Sequence, residues 1–154
     1  MGLSLSLGFM KAYLFSDLVP GLTFDFGSLQ LSKEEIIAFA LQYDPMPFHI
    51  SEEAAQNSIF GKLIASGPHL FHAFYLREWV PRFKDSVIAG RGIHAWNLHR
   101  PLFPEQSVFC ELTVEKAEPK PHRGFGVVDW YFTFRDADGL LFQDLHMIVM
   151  HKLL

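Results

Sequence analysis

The chain has 154 residues, a formal net charge of −4 with histidine neutral, 16 Phe, 3 Trp and a single Cys. A chain of this length is expected to form one domain and to bury roughly two thirds of its unfolded surface, so it needs no disulfide framework and is not a disordered chain. Its scattered Lys and Arg exclude a nucleic-acid partner, and the lone Cys110 excludes an internal disulfide and points to a reducing, cytoplasmic setting.

The first apolar run, MGLSLSLGFMKAYLF, is too short to span a bilayer and has no basic residue ahead of it, so neither a membrane partner nor a signal peptide is expected. Residues 1–12 are expected to be a loosely ordered extension. Gly2 and Ser6 fit the short myristoylation pattern, a weak signal. Tyr13 to Leu31 reads as a loop and a first strand. Pro20-Gly21 marks the turn, and Leu22, Phe24 and Phe26 alternate after it.

Ser32-Lys33-Glu34-Glu35 is a capping box, and Ile36, Phe39, Ala40 and Tyr43 follow it at helical spacing. Pro45 stops this helix. Ser51, with Glu52 and Glu53 behind it, starts a second, short helix. Gly67-Pro68 opens a third. Leu70, Phe71, Ala73, Phe74, Tyr75, Leu76 and Trp79 leave that helix no broad polar face, which predicts a buried helix ending at Pro81. The remainder reads as strands: Ile88 to Leu98, Val108 to Glu115, Asp129 to Phe134, and about Leu140 to Lys152. Asp138-Gly139 is a hairpin signal. The last strand is apolar on both faces and is expected to be central in the sheet or packed at an interface. Cys110 falls in a strand alternation, as a small core residue does. The expected class is α+β, an antiparallel sheet wrapped around one buried helix.

Asp44 and His49 carry the chemistry. On a straight strand they would stand about 16 Å apart, and on a helix they would point in different directions. Pro45 and Pro47 forbid a regular helix and favour a bent loop, in which the two side chains can share one water. Gly67 stands at a helix N-terminus, where free amides and the positive dipole end favour an anion, and a glycine lets a carbonyl approach the backbone. Ser66 precedes it as a candidate N-cap or substrate contact. The residues alone leave a plainer account open, in which Asp44 begins a turn, His49 caps the next helix and Gly67 merely starts one.

The segment DPMPFHISEEAAQNSIFGKLIASGPH resembles the hydratase motif of the MaoC-like dehydratases and (R)-specific enoyl-CoA hydratases. The match rests on Asp44 and His49 with four residues between them, then Phe60-Gly61, Ile64-Ala65 and Ser66-Gly67. It extends to Leu18-Val19-Pro20-Gly21, Ile36 to Ala40, and Arg100-Pro101 with Pro104, so that it covers roughly Tyr13 to His151. The resemblance implies a hotdog fold and reversible hydration of a trans-2-enoyl thioester to a 3-hydroxyacyl thioester. Asp44 and His49 would hold the water, the Gly67 amide would polarise the carbonyl, and Ser66 would stand behind them. It also implies a CoA or acyl-carrier thioester as substrate, no cofactor, and a homodimer with the acyl chain along the subunit boundary. Met46, Pro104-Glu105-Gln106 and Asn97 depart from the pattern. A hotdog thioesterase or a non-catalytic acyl-thioester-binding protein are the alternatives.

Eight His residues raise the question of a metal. His69 with His72, and His94 with His99, lie close in sequence. No HExxH pattern or Cys cluster accompanies them, so no metal is expected. Lys120, His122 and Arg123 make a small basic hairpin, read as a solvated turn or as a contact for CoA phosphates.

Overall fold

The computed structural model describes residues 10–153; the myristoylation pattern and most of the expected N-terminal extension lie outside the described residues. Five strands, β1 (Thr23–Leu29), β2 (Val87–Leu98), β3 (Val108–Lys120), β4 (Phe125–Arg135) and β5 (Leu141–Lys152), form one antiparallel sheet in the order β1-β3-β4-β5-β2. The β3–β4 hairpin closes on a 3-10 turn, Pro121–Arg123. The β4–β5 hairpin closes where Asp136 N–H donates to the Leu140 carbonyl, with Gly139 at φ 84°. β5 lies inside the sheet, as its two apolar faces required, and β2 is an open edge.

Before the sheet returns, the chain makes α1 (Lys33–Tyr43), α2 (Pro47–Ile50), α3 (Glu52–Gln56) and α4 (Gly67–Phe74). The capping box is present: Glu35 N–H donates to Ser32 Oγ at 3.1 Å, and Ser32 N–H donates to Glu35 Oε2 at 2.8 Å. The helix from Gly67 does not stop at Pro81. It widens into a π segment, Tyr75–Trp79, and resumes as α5 (Val80–Phe83), with Pro81 in the first turn of α5. A wide turn shifts the backbone pairing, so the proline's missing N–H and its ring are accommodated where a regular helix would break.

This central helix lies against the sheet. Phe74 meets Phe134 at 5.7 Å between ring centroids, Phe71 meets Phe132 at 5.4 Å, and Phe83 meets Trp130 at 4.5 Å. Trp130, Phe132 and Phe134 are fully buried on the inner face of β4, and Cys110 and Leu112 are buried on β3. Burial pushes the Cys110 thiol well above its ordinary range, so it is an inert core group. The helix is less enclosed than its composition predicts: Pro68, His72 and Leu76 face outward, because a five-stranded sheet covers one side of a helix and leaves the other to α1 and solvent. Among the described residues no helix is long and apolar enough to cross a membrane. The arrangement is the hotdog fold, a sheet curled round one helix.

Candidate active site

Asp44 is the C-cap residue of α1, with φ −156° and ψ 69°, and its N–H still donates to the Ala40 carbonyl at 2.9 Å. The connector that follows is not a bare loop. Met46 N–H donates to the Asp44 carbonyl, and Pro47 then begins the single turn α2, which carries His49. The expectation that the prolines forbid helix is corrected here: Pro45 breaks the path, but Pro47 stands at the first turn, where a proline's fixed φ favours helix. That turn folds His49 back towards Asp44, and Nε2 of His49 lies 3.4 Å from Asp44 Oδ2.

The other imidazole nitrogen settles the tautomer. His49 Nδ1 is 2.7 Å from the Ile64 carbonyl oxygen, and a carbonyl only accepts, so Nδ1 carries the proton. In the neutral ring Nε2 is then a lone-pair acceptor pointing at the carboxylate. Two acceptors facing one spot call for a donor with two hydrogens, which is what a water supplies.

Ser66 is the N-cap residue of α4 but makes no side-chain cap. Its hydroxyl instead donates to Asp44 Oδ2 at 2.6 Å. Ser66 therefore holds the N-cap position without a side-chain cap, because its hydroxyl is directed at a charged acceptor instead of the helix amides. Ser66 is 1% exposed and His49 6%, so this corner excludes bulk water except through the cleft.

Gly67 occupies the first position of α4 and is buried. Its N–H has no acceptor within the helix, as for every first-turn amide. A Cβ at Gly67 would sit 2.4 Å from Leu98 Cδ2, so a side chain there would displace Leu98 from the cleft wall. Gln143 of β5 completes the corner. Its Nε2 donates to the Gly67 carbonyl at 3.1 Å, and its Oε1 accepts from Trp96 Nε1 at 3.1 Å.

These groups open onto a cavity of about 470 Å³, lined on one side by Asp44, Phe48, His49 and Phe60, and on the other by Gly67, Leu98, His99 and Gln143. That volume suits a small-molecule site. Phe39 is not part of it; it stacks on His69 at 4.2 Å and 1°. Gln143 and His99 were not read as cleft residues from sequence. The available signal for Gln143 was a polar side chain at an inward slot of β5, a face that Leu145, Met147 and Val149 otherwise fill with apolar groups. His99 Nε2 lies 3.1 Å from Asp144 Oδ1, while Tyr131 donates its hydroxyl to Asp144 Oδ2 at 2.8 Å. Burial acts to raise Asp144, but the Tyr131, Asn97 and His99 hydrogen bonds outweigh it and hold the carboxyl below its ordinary range. Burial and the Asp144 bond together push Tyr131 up to about 12.

The departures from the family pattern lie at the margins. Met46 is exposed. Asn97 Nδ2 donates to the Ala95 carbonyl and to Asp144. Glu105 and Gln106 form a turn tied to Leu31 and Phe103. The basic turn at Lys120, His122 and Arg123 does not line the cleft, and Lys120 pairs with Glu118.

Residues 16–128 match the family described as MaoC like domain. The Bacillus subtilis protein YdeM is 31% identical over 102 residues, 65% of this chain and 72% of that one. The MaoC-like dehydratase from Rhodospirillum rubrum superposes with a TM-score of 0.80 at 30% identity, covering 92% of this chain and 97% of that one. The (R)-hydratase from A. caviae involved in PHA biosynthesis superposes with a TM-score of 0.69 at 24% identity, covering 86% of this chain and 96% of that one. The family match spans most of the chain and includes the segment that builds the cleft, and the chain belongs to the MaoC-like family.

Proposed function

We propose that this protein is an acyl-thioester hydratase/dehydratase that adds water reversibly to a trans-2-enoyl-CoA or acyl-carrier thioester, giving the 3-hydroxyacyl thioester. The observation that carries the reading is the Asp44 carboxylate and the His49 imidazole brought together at the mouth of an apolar cleft, with 3.4 Å between Oδ2 and Nε2. Membership of a family that includes a MaoC-like dehydratase supports it, as does the likeness in fold to an (R)-hydratase.

Ser66 engages Oδ2 of Asp44, which leaves Oδ1 as the oxygen that takes a proton from the water. His49, fixed by Ile64, holds the second hydrogen and so aims the water's lone pair. The water oxygen bonds to C3, and the C2–C3 π electrons move onto the thioester carbonyl. The developing oxyanion meets the Gly67 amide and the positive end of α4. The proton taken from water then returns to C2 from the same side through the Asp44–His49 pair, giving syn addition. One C–O and one C–H bond form, water is the sole co-reactant, and no cofactor is consumed. The Phe48, Phe60, Leu98 and Leu102 walls suit an apolar acyl tail.

We further propose a cytoplasmic homodimer. The β2 edge leaves a row of backbone groups open, with Ile88, Ile93 and Leu98 exposed along it, and a long bare edge with apolar side chains is a template for pairing.

Purified protein mixed with trans-2-enoyl-CoA thioesters from butenoyl to dodecenoyl tests the reading. The enoyl absorbance should fall while a thiol-trapping dye stays silent. Released thiol would make the protein a thioesterase. An unchanged chromophore across the panel and with enoyl-acyl carrier protein would overturn the assignment.

A further inference from the structure

The outer face of the sheet, turned away from the central helix, carries a second group of titratable side chains that shares no residue with the cleft. His94 on β2 stands directly opposite His146 on β5, and His146 stands opposite Tyr131 on β4. Asp129 lies one pleat along from Tyr131 on the same face. His146 Nδ1 is 2.8 Å from Asp129 Oδ1, and His94 Nε2 is 3.5 Å from Asp129 Oδ2. One nitrogen from each imidazole and a carboxylate oxygen all lie within 4.8 Å of one another.

We propose that His94, Asp129 and His146 bind a divalent transition ion of the zinc class. Two imidazoles and one carboxylate are borderline ligands, suited to zinc, cobalt or nickel rather than to calcium or magnesium. Tetrahedral ligands with bonds of about 2.0–2.1 Å stand about 3.3 Å apart. The separations to Asp129, 2.8 Å to one oxygen and 3.5 Å to the other, and the 4.8 Å that contains one ligand atom from each residue, are of that order. Small side-chain adjustments therefore admit the ion, and the solvent side of the half-exposed His94 leaves the fourth position for water.

Two features set this group apart from an ordinary surface ion pair. First, the group is held by ring stacking as well as by charge. His146 is stacked between Tyr131 at 4.6 Å and His94 at 4.7 Å, and Asp129 sits on an interior strand with its side chain 15% exposed. Second, β2 breaks register immediately after His94, between His94 and Asn97, and Ala95 there has φ 47°. A non-glycine residue in the left-handed region is strained, and bulges recur where a side chain has to be re-aimed at a site. Asn97 pins the bulge by donating to the Ala95 carbonyl at 3.0 Å. Pairing of β2 with a second copy would use its backbone edge and leave these face side chains in place.

Isothermal titration of chelator-stripped protein with Zn²⁺ tests the proposal, alongside the visible spectrum of the Co²⁺-loaded protein. Wild type should take up one ion per chain with micromolar or tighter affinity and give tetrahedral Co²⁺ bands. His94→Ala and His146→Ala should each weaken binding at least tenfold, and Asp44→Asn should leave it unchanged. His94 is half-exposed on an edge strand, so His94→Ala should unfold at the wild-type temperature without metal. Uptake no greater in wild type than in the His94→Ala/His146→Ala double variant would overturn the site. So would loss of the bound ion in His49→Ala, which would place the metal in the cleft.

Discussion

Asp44→Asn separates the chemistry of the cleft from its architecture. The carboxamide has the shape of the carboxylate, so its oxygen can take the place of Oδ2 and still accept from Ser66, which now donates 2.6 Å to that atom. A hydrogen bond to a charged acceptor contributes about 1.5–3 kcal/mol and one to a neutral acceptor about 0.5–1.5 kcal/mol, so the folded state should lose about 1 kcal/mol. The side-chain amine then faces the cleft, where it offers hydrogens in place of an acceptor. Loss of a positioned general base removes about 10²- to 10⁴-fold of rate, or about 3–5 kcal/mol of transition-state stabilisation at 1.36 kcal/mol per decade. The assay is loss of enoyl absorbance under saturating substrate, with a urea unfolding curve on the same preparation. A folded Asp44→Asn protein that keeps its turnover within tenfold of wild type would refute the role given to Asp44. A rate loss that only follows a loss of folded protein would do the same.

Ser66→Ala removes the donor to Asp44 without removing a helix cap, because Ser66 makes none. It should lower kcat about 10- to 100-fold and cost the folded state about 1.5–3 kcal/mol, the worth of one hydrogen bond to a charged acceptor; equal kcat would contradict the positioning role. Acid should destabilise the fold through two buried histidines. Burial lowers His151 and His69 from 6.5 to about 4. Trp130 Nε1 donates to His151 Nε2 at 3.2 Å, so that nitrogen has no room for a proton. The unfolded chain binds more protons between these values, so the contribution is complete above pH 6.5 and is lost as pH falls from 6.5 to 4. Each group amounts to about 3 kcal/mol at most. Urea midpoints at pH 7.5 and 5 should drop less in His69→Phe than in wild type, and equal drops would reject the account. Ile93→Asp puts a charge on the open edge of β2, and light scattering should report a monomer where wild type is a dimer; an unchanged mass would move the interface elsewhere.

Much of the architecture was readable from short-range pattern. Ser32 to Glu35 spelled a helix start that forms as written, because a capping box is satisfied within one turn. Alternation placed Cys110 in the core and put β3 and β4 within a few residues of their observed starts, although both run longer at their shared hairpin; the expected β2 and β5 also begin close to the observed strands. Asp44 and His49 were singled out because two prolines between an acid and a base forbid straight geometry, and the structure does bring the pair together. The same local reading misjudged Pro47, which begins a turn, and Pro81, which the central helix passes through on a π segment.

The helix starts at Ser32, Ser51 and Gly67, the strand alternation and the residue types that can hold a water were legible because neighbours within a turn or a pleat decide each of them. Which groups surround that pair depends on how the whole chain folds. Ser66 reaches Asp44 across 22 positions, and Gln143 reaches Gly67 across 76. His94, Asp129 and His146 meet only because the strand order lays β2 beside β5 and β5 beside β4. Register between distant strands follows from how two faces of a sheet are buried, a condition on the whole chain that no short stretch of residues expresses.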